Sequence, residues 1–437
     1  MAVTVSMLGV LIPRRSSQQK LPSEGWVVVW ILLLTVPLYG QAKLTGNVPK
    51  RLQQPSVANL KPLFCRATPV DDKFANNSSG YTAMVAGPDG KVYVGTANYL
   101  DYGYWLAYDP ADRSLTPVLS IRETTGENHF DVHTQGKTHT KLIVGPDGKI
   151  YGGTKQGHEL FTNRPEIGEH SGGYPGGHLL RYDPVTGVAE SLGVLKAQDG
   201  LMNGVVDYGR RRIYFKTEPR THFLIYEMDT NQVIDKGRVG TWARYIDIDG
   251  NGNVWIPNNG RMTAYDVGKD ELVDYEVSVE GEGPEYARPY ACVMGGSGQQ
   301  QGTKLYGSDF IKVQEYDVGR AANGVVPMRH VCRAVPEPYE KSKDVHTMIR
   351  DVRGRIYWSA VVEGDGGPDQ LLVMRYTPGE EESECLGYAV DVELEKHTDV
   401  KNHTASIQGS AISADGSFYL MATYRFYVLE FPQLAAD

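Results

Sequence analysis

TAMVAGPDGKVYVGT (Thr82–Thr96) and TKLIVGPDGKIYGGT (Thr140–Thr154) are two copies of one unit. Each reads as an alternating apolar strand, a Gly-Pro-Asp-Gly turn and a second strand. After a variable loop each is followed by a third strand that runs into Tyr-Asp-Pro: WLAYDP (Trp105–Pro110) and HLLRYDP (His178–Pro184). Alternation with period two marks half-buried strands. The Pro-Asp-Gly and Asp-Pro steps are turn chemistry, because glycine accepts positive φ and aspartate hydrogen-bonds its own backbone.

Weaker copies follow along the chain. NGVVDYGRRRIYFKT starts at Asn203, YIDIDGNGNVWIPN at Tyr245, KLYGSDF at Lys304, MIRDVRGRIYWSA at Met348 and SAISADGSFYLMAT at Ser410. Seven units at spacings of about 40 to 65 residues predict an all-β, seven-bladed β-propeller over residues 61–437. A two-domain sandwich would not repeat the Gly-Asp and Tyr-Asp turns in alternation.

The chain has 437 residues, 41% of them hydrophobic, which is ample for a large core. A formal net charge of −9 argues against a nucleic-acid partner, yet a local basic cleft can still hold a polyanion. Arg14, Arg15 and Lys20 precede an uncharged apolar run from Trp26 to Tyr39, and Gly40 and Ala42 supply small residues. That pattern predicts a signal peptide over residues 1–42, a linker over 43–60 and a secreted or periplasmic, monomeric product with no membrane partner once the signal is removed. The four cysteines, Cys65, Cys292, Cys332 and Cys385, are widely spaced and do not form a dense disulfide framework.

In such a ring the start of each unit's first strand and the end of its second meet at one rim. Those positions hold His139, Asn203, Arg244 with Tyr245, Arg288 with Tyr290, His346 and His403. From the second strands come Asn98, Lys155, Gln156, His158, Glu218, Arg220, Asn258 and Arg261. The opposite turns hold Pro, Asp, Gly and Asn. His, Arg and Tyr therefore gather on one face, which is the expected working surface. Tyr174 and His178, in the Gly-rich SGGYPGGH loop, are expected over this cleft, with Tyr174 offering a ring to a sugar.

The stretch HTQGKTHTKLIVGPDGKIYGGTKQGH (133–158), then GYPGGHLLRYDP (173–184), with Tyr245 and Arg261 sixteen residues apart, resembles the propeller-fold ulvan lyases. The resemblance implies a secreted seven-bladed lyase with two histidines on one hairpin and a Tyr/Arg pair on a later one. It implies cleavage of a uronate-containing, ulvan-like polysaccharide by β-elimination. The C5 proton is removed and the C4 oxygen expelled, which needs a base, an acid and a cation on the carboxylate. His139 and Tyr245 are the expected catalytic pair, with the base and acid roles open between them. His158 and Arg261 are expected on the carboxylate, and Arg244, Asn203, Tyr174 and Arg220 as further substrate contacts. Tyr208 with Arg220 is an alternative to Tyr245 with Arg261. No organic cofactor is expected. Cys292, His346 and His403 face a common channel in this reading and suit a structural zinc, as the resembling lyases carry a structural metal, with His330 or Cys332 as a further ligand. The competing reading is a non-catalytic carbohydrate- or protein-binding propeller. Terminal sequencing of exported protein is expected to start at Lys43; a start at Met1 would remove the signal-peptide reading.

Overall fold

The Gly-Pro-Asp-Gly turns form by local chemistry. The Gly87 N–H donates to Lys91 O at 2.7 Å, and Gly90 takes φ 83°, a conformation that favours glycine. The Asp89 carboxylate then accepts from the Tyr93 hydroxyl at 2.7 Å. The same latch ties Tyr151 to Asp147 at 2.8 Å, the Trp255 indole to Asp249 at 2.9 Å and Tyr357 to Asp351 at 3.4 Å. Each carboxylate fixes its hairpin to an aromatic side chain of the second strand.

The computed structural model describes residues 44–48, 53, 57, 59–75, 80–98, 102–127, 135–157, 173–240, 245–258, 260–280, 302–343, 345, 347–364, 369–393, 407–422 and 427–436. The chain divides into two units, Met1–Gln41 and Ala42–Asp437, and all described residues belong to the second.

The first strand is β1 (Pro62–Pro69). A first antiparallel sheet follows, with β2 (Gly80–Ala86), β3 (Val92–Thr96), β4 (Tyr104–Asp109) and β5 (Ser114–Ser120). The second holds β6 (Lys137–Thr138), β7 (Ile143–Val144), β8 (Ile150–Lys155), β9 (His178–Tyr182) and β10 (Ala189–Val194). The third holds β11 (Gly200–Asp207), β12 (Arg212–Glu218), β13 (His222–Glu227) and β14 (Gln232–Arg238). The fourth group holds β15 (Asp247–Ile248), β16 (Val254–Asn258), β17 (Arg261–Asp266) and β18 (Glu271–Val279). The fifth holds β19 (Lys304–Ser308), β20 (Lys312–Asp317) and β21 (Val325–Arg333); β18 and β21 pair in parallel. The sixth holds β22 (Met348–Arg350), β23 (Ile356–Val362), β24 (Gln370–Tyr376) and β25 (Glu384–Asp391). The last holds β26 (Ile407–Ile412), β27 (Phe418–Ala422) and β28 (Tyr427–Phe431). Among the described residues helix is confined to short pieces such as α1 (Asp72–Ala75) and α2 (Ile121–Thr125).

The core lies between successive sheets. Trp105 and Leu119 of the first pack with Ile150 and Leu180 of the second, and Tyr151 and Leu179 pack with Phe215 and Leu224 of the third. Tyr214 and Phe223 then meet Val254 and Tyr265. Val94 and Tyr108 of the first sheet pack against Tyr419 and Val428 of the last. Sheets that pack face to face in series, with the last against the first, are the β-propeller arrangement.

The N-terminal strand supplies the join. Arg66–Pro69 of β1 pair antiparallel with Tyr427–Glu430 of β28, while Pro62–Cys65 pair in parallel with Tyr388–Asp391 of β25. Glu430 sits at this seam, fully buried. It accepts from the Tyr108 hydroxyl at 2.9 Å and faces Arg66 at 3.7 Å. Burial raises its carboxyl above the usual range, against the pull of Tyr108 and Arg66. Glu430→Ala is expected to cost about 2–4 kcal/mol in chemical denaturation, because it leaves a buried hydroxyl without its acceptor. Glu430→Gln keeps an acceptor and loses less; an equal loss in both variants would remove this hydrogen bond from the account.

Candidate active site

His139 follows β6 directly and is 4% exposed. Its ring stacks on Tyr81, with centroids 4.7 Å apart and 22° between planes. Its Nδ1 lies 3.2 Å from the Met202 carbonyl oxygen, and its own carbonyl accepts from the Thr82 hydroxyl. Tyr81 and Thr82 belong to β2 and Met202 to β11, so the sheets on either side of its own fix this residue. A carbonyl oxygen only accepts, so Nδ1 carries the proton. In the neutral ring Nε2 is then the basic nitrogen.

One lysine shares the aromatic neighbour of this histidine. Lys137 places its Nζ 5.1 Å from the centroid of the same Tyr81 ring, a cation over an aromatic face. Across the ladder it is the register partner of Lys155, the last residue of β8. Lys155 forms an ion pair with Glu218, which ends β12. Lys216 lies two residues before Glu218 and on the same strand face. Lys137, Lys155 and Lys216 are 3%, 5% and 0% exposed. Burial pushes the Lys216 ammonium down to about 8, with Glu218 opposing and Lys155 adding to the fall.

The local backbone requires small residues here. A side chain on Gly136 would run into the Asn98 carbonyl and Gly157. The Asn98 N–H donates to Gly136 O at 2.6 Å, which draws the end of β3 to the start of β6 in the second sheet.

Several expected residues take other places. Tyr174 is not a platform over the cleft: it is 5% exposed and its hydroxyl donates to Gln135 Oε1 at 3.1 Å. Gln135 also donates to Gly176 O at 2.8 Å. His178 bonds Glu127 at 2.7 Å and Ser191 at 2.8 Å. These buried bonds draw the described part of the Gly-rich loop inward. Arg261 opens β17, where the register sets it opposite Glu276, and the two form an ion pair at 2.6 Å. Its guanidinium is engaged by a carboxylate of its own chain on β18. Arg220 is likewise held, by Asp199 at 3.2 Å and Gln198 at 2.8 Å. Tyr208 follows β11 at the turn end and donates to Val144 O at 2.7 Å. It therefore lies at the opposite end of its hairpin from Arg220, which overturns that pairing. Tyr245 is 8% exposed and packs in the apolar cluster with Trp255 and Met262. Asn203 is buried at the bulge of β11, its Oδ1 accepting from Gly204 N–H at 2.8 Å.

His158, Arg244, Cys292, His346 and His403 lie outside the described residues. Among the described residues no three His, Cys, Asp or Glu side chains converge as a metal site. Burial pushes the Cys332 thiol up to about 12, which keeps it protonated and disfavours it as a ligand.

Tyr81, Lys137 and Lys216 were not among the expected site residues. Two of them left a signal. Tyr81 opens the first strand of the first unit, as Tyr245 does in the fourth. Lys216 is the one charge inside the run Ile213–Thr217.

No protein-family model and no curated protein matches this chain. Solved structures with similar folds include U3-55K, with a TM-score of 0.51 and 8% identity over 81% of this chain and 95% of that one. The RRP9 WD40 repeats align with a TM-score of 0.50 at 8% identity, covering 81% of this chain and 94% of that one. A chain of the mitotic checkpoint complex aligns with a TM-score of 0.50 at 12% identity, covering 89% of this chain and 99% of that one. At such identities the likeness is one of fold, and the fold is a β-propeller.

Lys216 titrates lower in the folded chain than in the unfolded one, so from about pH 8 to about pH 10.5 the unfolded chain binds more protons. Its contribution to stability therefore rises with pH across that window. In denaturant titrations the wild-type protein should gain stability relative to Lys216→Met between those limits. A constant difference would remove the buried ammonium from the site.

Proposed function

We propose that the protein is an exported, seven-bladed polysaccharide lyase that cleaves a uronate-containing, ulvan-like polymer by β-elimination at the rim of its first three sheets. The observation that carries this reading is the buried His139, with Nε2 as its basic nitrogen, beside cations that can hold an acidic polymer. His139 takes the C5 proton on Nε2. The C5–H electron pair forms the C4–C5 double bond, the C4–O bond breaks, and a proton is delivered to the leaving oxygen. Lys137 holds the uronate carboxylate and stabilises the charge that builds there. Arg261, already paired with Glu276, is not required for that role. Tyr81, stacked on His139, is the hydroxyl assigned to protonate the leaving oxygen, with Tyr245, which packs with Trp255 and Met262, as the alternative. The buried lysines favour an acidic carbohydrate over a neutral one. A propeller that binds the same polymer without cleaving it uses the same cations, and the histidine separates the two readings.

Incubation with uronate polymers should release unsaturated product absorbing in the near ultraviolet. His139→Ala should slow this by about 10²–10⁴-fold with polymer binding and circular dichroism unchanged. Lys137→Met should weaken polymer binding as well as turnover, since the carboxylate is charged before reaction. Tyr81→Phe and Tyr245→Phe show which hydroxyl serves as the acid. Retained polymer binding without product in the wild-type protein would favour the non-catalytic reading.

A further inference from the structure

We infer that Ser191, His178 and Glu127 form a second catalytic site, a Ser-His-Glu triad on the outer part of the second sheet that hydrolyses carboxylic esters with a short acyl group. The triad uses none of the residues assigned to β-elimination and does not rest on that reading.

Local structure sets each member. α2 ends at Gly126, which takes φ 70° and donates its N–H to the Arg122 carbonyl. That termination places Glu127 directly after the helix. His178 opens β9, its backbone N–H held by the Thr154 hydroxyl at 2.8 Å. Ser191 lies on β10 opposite Leu180, so its side chain shares one face of the sheet with Leu180 and His178. Leu180 packs with Trp105 of the first sheet, so this is the face toward the sheet that leads into Glu127. The register then shifts between Ser191 and Val194, and Gly193 takes φ 94° in that irregularity.

The hydrogen bonds fix the direction of the proton. Glu127 Oε1 lies 2.7 Å from His178 Nε2. A carboxylate only accepts, so Nε2 carries a proton. In the neutral ring Nδ1 then holds the lone pair, and it faces the Ser191 hydroxyl at 2.8 Å. The Ser191 oxygen accepts from the Gly193 N–H at 3.2 Å, which leaves its own proton for Nδ1. Gln135 donates to Glu127 Oε1 at 3.3 Å and holds it in place. Glu127 Oε2 is buried with no hydrogen-bond partner among the described residues, so the imidazolium that forms when Ser191 yields its proton answers the carboxylate's charge. The His178 and Glu127 side chains are 11% and 13% exposed, while Ser191 is half-buried on the edge strand of its sheet. A buried, oriented base behind a reachable hydroxyl is the arrangement of an activated nucleophile.

There is room for a substrate beside it. No described atom lies within 4 Å of the point where a Cβ on Gly193 would stand. Val194, the register partner of His178, is 38% exposed and offers an apolar flank to a short acyl group. Ser191 Oγ attacks the ester carbonyl carbon while its proton passes to Nδ1. The bond from that carbon to the alcohol oxygen breaks, and the alcohol leaves with the proton. Water, giving its proton to Nδ1, then hydrolyses the acyl-serine, which releases the acid and restores Ser191. The Gly193 N–H, released when Oγ is acylated, can donate to the oxyanion in both steps.

Reaction of the full-length protein with a fluorophosphonate, and separately with p-nitrophenyl acetate, tests this. One phosphonyl adduct is expected, placed on Ser191 by mass spectrometry of its peptides, together with a burst of nitrophenol before the steady rate. Ser191→Ala should abolish the adduct and lower ester turnover by about 10²-fold or more, and Glu127→Gln should slow labelling by a similar factor. Wild-type protein that carries no adduct on Ser191 at excess probe would overturn the triad. So would ester turnover in Ser191→Ala equal to the wild-type rate, or labelling that is equally fast in Glu127→Gln. The wild-type adduct needs no variant and decides the matter if Glu127→Gln fails to fold. Unsaturated product from uronate polymers should be released at the same rate by Ser191→Ala; its loss there would overturn the separateness of the two sites. A protein that cleaves no uronate polymer but carries the Ser191 adduct would keep the triad and remove the lyase reading.

Discussion

The pairing of the N-terminal strand β1 with the last strand β28 is the constraint on which the rest of the structure depends. A row of sheets packed face to face leaves an unpaired strand edge at its end. Arg66–Pro69 fill that edge at the last sheet, and Tyr108 of the first sheet reaches Glu430 across the same seam. Backbone bonds from one end of the domain and a buried side-chain bond from the next sheet hold the join together. The positions of the rim residues follow, because each sheet is placed by its neighbours on both sides.

His139 shows what that placement does. Its ring is held by Tyr81 from the sheet before and by Met202 from the sheet after. Neither contact is local in sequence. The tautomer, and with it the chemistry of Nε2, is a consequence of sheet packing. The lysines follow the same logic. Net charge for the chain is −9, yet Lys137, Lys155 and Lys216, on β6, β8 and β12, are all nearly buried.

The residues that depart from expectation share one cause. Arg261, Arg220 and Tyr174 sit where the repeat puts them along the chain, but each meets a partner that strand register or loop burial supplies. Arg261 faces Glu276 because β17 and β18 pair in that register. Arg220 turns back onto the segment before β11. Tyr174 is drawn inward by Gln135, where the glycines around it admit close backbone approach.

The amino-acid sequence by itself determined the class of fold and the polarity of the sheets. Turn chemistry and strand alternation act over a few residues, so GPDG and YDP steps announce hairpins wherever they stand, and their repetition announces a propeller. The same local pattern carries the expectation that His, Arg and Tyr gather at one end of the sheets, since a residue's place before or after a strand follows from it. Tertiary structure alone decided which of those side chains meet. His139 with Tyr81, Lys155 with Glu218 and Tyr108 with Glu430 join residues of different sheets, and nothing in the repeat orders one over another. Such pairs depend on the angle and register at which sheets pack, which are set by the whole interface rather than by the neighbours of any one residue.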